Sequence, residues 1–121
     1  MMTWEQQRAS DAWKKSEKYG KKARNFTKGL PALIMNSGLM QTLAFCEEDS
    51  EYKEVAKDLR DWLGKWLVES GIATTSRKDF NDDFEEFMDY LFHVESGVYR
   101  MITDEALAWL KWLRQLAAAR S

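Results

Sequence analysis

The chain has 121 residues, 45% of them hydrophobic, with six Trp, six Phe and six Met, and a formal charge of −2. A chain of about 120 residues buries roughly two-thirds of its unfolded surface, so a single core closes without a metal or a disulfide. The lone cysteine, Cys46, excludes an internal disulfide and points to a reducing, cytoplasmic setting. The opening residues lack the charged and apolar pattern of a signal peptide, and no apolar run is long enough to span a bilayer. β-Branched residues are scarce while Ala, Leu, Glu and Lys abound, which predicts an all-α fold. One helical domain over residues 1–121 is expected, a compact bundle of five to six helices.

Thr3 with Gln6 forms the pattern of a capping box. Ala9, Ala12, Trp13, Ser16, Tyr19, Ala23 and Phe26 then recur at helical spacing. This predicts one long basic helix over about residues 3–28, bent at Gly20, where glycine costs roughly 1 kcal/mol relative to alanine. Gly29 is expected to end it and Pro31 to open a short second helix, closed by Asn36, Ser37 and Gly38. Leu39 to Cys46 makes a third apolar piece, so short helices fill residues 31–46.

An acidic connection, Glu47 to Glu51, leads into a helix over about 51–70 that repeats Tyr52, Val55, Ala56, Leu59, Leu63, Trp66 and Leu67 and stops at Gly71. Residues Gly71 to Lys78 read as a long loop. Asp79 is the expected cap of a helix over 80–94, with Phe80, Phe84, Phe87, Met88 and Leu91 on its core side. The last helix, about 97–120, repeats Tyr99, Ile102, Ala106, Trp109, Leu110, Leu113 and Ala117. Thr103 is an alternative cap, which would leave Val98 to Ile102 as a separate turn; the sequence leaves both open.

Catalytic patterns fail one by one. Cys46 follows Leu43, Ala44 and Phe45 in an apolar helix, the setting of an inert thiol, and His93 is the sole imidazole. Asp89 and His93 share a helix face, but two ligands do not make a metal site. Asp79, Asn81 and Asp83 imitate the start of a calcium loop, yet Phe84 and Tyr90 stand where Gly and Glu are required. No Gly-rich phosphate loop occurs, and the many carboxylates fall on polar helix faces. No enzyme activity, cofactor or metal is expected.

Two features remain. Trp13, Trp66 and Trp109 take core positions, whereas Trp62 and Trp112 lie off the tightest apolar stripe and are the candidates for subunit contact. Residues 1–30 hold eight cations against three carboxylates, which leaves ten against seventeen for the remainder. On one helix, Arg8, Lys14, Lys15, Lys18, Lys21 and Lys22 would fall within one arc as a stripe roughly 20 Å long. Such a stripe binds phosphates without regard to sequence. The rival reading is a solvated face with local ion pairs to Asp11 and Glu17.

The strings Glu5 to Trp13, Gly29 to Phe45 and Tyr99 to Ala119 resemble the small α-helical subunit of the type III-B CRISPR (Cmr) effector complex. Arg8 with Ala9, Leu30 to Ala32, Gly38 with Leu39, Leu43 to Phe45, Tyr99 with Arg100, and Glu105 to Leu113 carry the likeness; Glu47 to Val98 does not. The resemblance implies a non-catalytic subunit that stacks with copies of itself into a filament, beside backbone subunits that hold guide RNA and alongside the large subunit. It would help keep target RNA paired with the guide, and it has no membrane partner. On that basis Arg8, Lys14, Lys18, Lys21 and Lys22 are expected at phosphates, with Arg100, Lys111 and Arg114 as further candidates. Members often carry a basic residue before the turn where Met35, Asn36 and Ser37 stand here, so an RNA contact there would be absent or shifted. The rival function is a free-standing helical DNA-binding regulator, with a helix-turn-helix around Leu30 to Phe45; that element holds no Lys or Arg.

Overall fold

A computed structural model of the protein describes residues 1–73, 80 and 82–120. Among them six helices follow in order: α1 Trp4–Ser16, α2 Lys21–Ser37, α3 Leu39–Cys46, α4 Ser50–Glu69, α5 Phe84–His93 and α6 Ser96–Ala119. The fold is all-α, as composition requires. The capping box forms: Gln6 N donates to Thr3 Oγ1 at 3.1 Å and Thr3 N to Gln6 Oε1 at 2.8 Å.

The expected helix over 3–28 is two helices, and the break has a tertiary cause. Tyr19 is buried, and its hydroxyl donates to Asp58 of α4 at 2.7 Å. Reaching that carboxylate turns the chain, and Gly20 takes an extended conformation as the N-cap of α2. Conversely, neither Gly29 nor Pro31 interrupts α2. An interior proline forfeits a backbone hydrogen bond and costs about 3 kcal/mol. Burial of Ala23, Thr27, Leu30 and Ile34 along one continuous face offsets that loss.

Gly38 separates α2 from α3 with φ +86°, and its N–H caps Ile34 O at 2.7 Å. The Tyr99 hydroxyl accepts from Met40 N at 3.2 Å, which ties this corner to the start of α6. Asp49 caps α4 through Glu51 N and Tyr52 N. The cap of α5 is Asp83, bonded to Glu86 N, and α5 starts four residues later than expected; Asp79 lies outside the described residues. Thr103 is interior to α6, its hydroxyl bonded to Tyr99 O, so the last helix is continuous from Ser96.

The long α6 packs against α1, α2 and α4. It runs parallel to α1, with Arg8 beside Glu105, Asp11 beside Trp109 and Ser16 beside Arg120. It runs antiparallel to α2, with Gly38 near Tyr99 and Pro31 near Lys111 and Arg114. Its face of Ile102, Ala106, Trp109, Leu110, Leu113 and Ala117 is fully buried. Trp62 corrects the surface expectation: it is 0% exposed and donates from Nε1 to Glu105 Oε2 at 2.9 Å. Trp13 shows the reverse error, being 46% exposed, with the Arg120 guanidinium stacked on its ring. No helix of the structure is long and apolar enough to cross a membrane.

Candidate nucleic-acid interface

The basic residues of the amino-terminal region divide into two groups once folded. Arg8 grips the buried Glu105 with both arms of its fork, Nε to Oε2 at 2.6 Å and Nη2 to Oε1 at 2.7 Å. The carboxylate raises the Arg8 pKa and occupies the bidentate geometry a phosphate would use. Lys15 bridges Asp11 at 2.8 Å and Asp61 at 2.7 Å. Lys18 pairs with Asp58 at 2.9 Å, and Lys22 pairs with Asp49. Four of the six stripe cations thus meet carboxylates, mostly on α4 and α6, and they fasten the amino-terminal helices to the rest of the molecule. The rival reading of local pairing applies to these four, though the partners are largely distant in sequence.

Lys14, Lys21, Lys28, Lys65, Arg100, Lys111 and Arg114 are exposed, and among the described residues none has a carboxylate within ion-pair distance. They do not form one stripe. Lys14 lines a cleft of about 250 Å³ with Lys65, Gln7, Ser10 and Asp11. Lys21 lines an open cleft between α2 and α4 with Lys22, Asn25, Phe26 and Tyr52. Lys111 and Arg114 flank an apolar floor of Pro31, Met35 and Leu107 between α2 and α6. Lys28 is one turn before Pro31 on α2, and Arg100 is two turns before Leu107 on α6. Lys28 and Lys65 were not singled out by sequence; their helical phases were readable, but the freedom of their ammonium groups was not. Trp112 is half-buried against the core.

The other candidate chemistry keeps to its bland reading. Cys46 is buried, and desolvation together with Glu47 pushes its thiol up to about 12. Asp89 and His93 are exposed, and His93 Nδ1 lies 2.8 Å from the Asp89 carbonyl at the end of α5. Among the described residues no group of three His, Cys, Asp or Glu side chains is placed to hold a metal.

The model of the family described as CRISPR-associated protein (Cas_Cmr5) matches residues 4–120. The chain belongs to the Cmr5 family. Cmr5 proteins are the small subunits of type III-B CRISPR effectors. The X-ray crystal structure of a CRISPR-associated Cmr5 family protein from Thermus thermophilus superimposes with a TM-score of 0.75 at 27% identity, covering 98% of this chain and 97% of that one. No curated protein gives a significant match. Membership of Cmr5 gives the likeness of both chain ends a single source, and places the protein among the subunits of a Cmr complex.

Proposed function

We propose that this Cmr5 protein is a non-catalytic part of a type III-B effector that holds target RNA against the guide through its unpaired surface cations, in a filament of its own copies beside the backbone and large subunits. The observation that carries this reading is the set of exposed cations left without intramolecular carboxylates. Lys14 and Lys21 at the amino-terminal helices and Arg100, Lys111 and Arg114 on α6 are its phosphate contacts. Lys18 and Lys22, half-exposed beside their carboxylates, assist, and Arg8 acts by fixing α1. Such contacts ignore base identity, because base pairing to the guide reads sequence. Exposed apolar side chains, Met35 and Phe92 foremost, and the partly exposed Trp112 supply subunit contacts.

The test uses effector complexes reassembled with variant small subunit. Lys14→Glu with Lys21→Glu, and separately Lys111→Glu with Arg114→Glu, should weaken target-RNA retention for every sequence. Each pair should also flatten the salt dependence by about 0.7 for each lost phosphate contact to a single strand. Unchanged retention and slope for both pairs would remove the interface. The rival DNA-regulator reading is not favoured; selective binding of duplex DNA by the isolated chain would restore it.

A further inference from the structure

We infer that the cleft between α2 and α4, lined by Lys21, Lys22, Asn25, Phe26 and Tyr52, binds an unpaired nucleobase of single-stranded RNA. This rests on the RNA-holding reading and names the chemical group this face takes. The cleft measures about 510 Å³, within the ~300–1,000 Å³ of small-ligand sites. The rings of Phe26 and Tyr52 lie parallel, with centroids 3.8 Å apart and an interplanar angle of 8°. Aromatic pairs that reach the core avoid that arrangement: Phe80 and Phe87 meet at 73°, and Trp4 meets Trp62 at 83°. Aromatic rings left to their own quadrupoles prefer such edge-on or offset contacts. A parallel pair at the surface, both rings partly exposed, is a two-layer platform to which a planar base adds a third layer. Phe45, 45% exposed, extends the aromatic row, its centroid 6.0 Å from that of Tyr52.

The polar groups suit the rest of a nucleotide. Lys21 and Asn25 are one turn apart on α2, as are Lys22 and Phe26, so each turn offers an anchor beside the platform. Lys21 supplies an unpaired ammonium for a phosphate. Asn25 carries both donors and an acceptor for a base edge of any identity. Lys22, restrained by Asp49 and 5.3 Å from the Tyr52 ring centre, lends positive charge at the platform. Aromatic faces beside cations are the combination that holds single strands without sequence preference.

The test measures binding of a fluorescent oligouridine strand, and of an abasic ribose-phosphate strand of equal length, to the full chain over a salt series. Phe26→Leu should weaken oligouridine binding roughly 5- to 100-fold with an unchanged salt slope and leave the abasic strand unaffected. Lys21→Glu should flatten the slope for both strands. If Phe26→Leu binds oligouridine like the wild type while Lys21→Glu weakens it, stacking is wrong and the electrostatic reading survives. If the wild-type chain binds neither strand at low salt, both fail. Should Phe26→Leu misfold, 4-thiouridine RNA cross-linked to the wild-type chain decides: adducts on the peptides bearing Phe26 or Tyr52 are expected, and adducts confined elsewhere overturn the inference.

Discussion

Arg8 is where a structural and an RNA-binding role separate most sharply, so its removal has a calculable outcome. In Arg8→Ala the Glu105 carboxylate, whose side chain is 4% exposed, keeps only the Trp62 Nε1 donor at 2.9 Å. Breaking a buried pair from one side costs about 3–5 kcal/mol, because a charge is left in a poor solvent. The Arg8 side chain is 22% exposed, and solvent screening places the loss at the lower end, about 3 kcal/mol. At roughly 3–5 °C for each kcal/mol in a chain of this length, the melting temperature should fall by about 10–15 °C. Arg8→Met with Glu105→Gln removes both charges and keeps an acceptor for Trp62, so it should recover at least half of that loss. Thermal and urea unfolding followed by circular dichroism, arranged as a double-mutant cycle, measures both quantities. An Arg8→Ala protein melting within about 2 °C of wild type would refute the clamp and return the guanidinium to the phosphate contacts.

Gly38→Ala forces a side chain into the left-handed region at φ +86° and should cost about 1–2 kcal/mol, read as a lower urea midpoint at constant m-value. The Asp49 carboxyl is held below its ordinary value, first by Lys22 and then by the N–H groups it caps. Its stabilising effect is therefore complete at neutral pH and is lost as pH falls through the lowered folded value. Asp49→Asn should melt below wild type at pH 7 and converge with it below about pH 4, and a gap that stays constant across that range would contradict this. With its thiol pushed up to about 12 and buried, Cys46 should react with a disulfide reagent at pH 8 only in proportion to the unfolded fraction. Reaction faster than unfolding would show an open path to α3.

Much of this molecule is local and therefore legible along the chain. Helical propensity and apolar spacing set the all-α class, the Thr3–Gln6 capping box and the bounds of α3, because each depends on residues within one or two turns. Family likeness in the two ends of the chain was equally readable, since short strings carry it. What the chain order concealed was set by partners distant in sequence. Asp58 draws Tyr19 inward and splits the first helix, while burial of Leu30 and Ile34 carries α2 through Pro31 against proline's own preference. Glu105 takes Trp62 into the core and occupies Arg8. Asp58, Asp61 and Asp49 engage lysines that helical phase alone leaves free. A side chain's helical phase is a property of its neighbours, but whether its charge or ring stays available depends on what lies across the interface, and that is known only once α4 and α6 are in place.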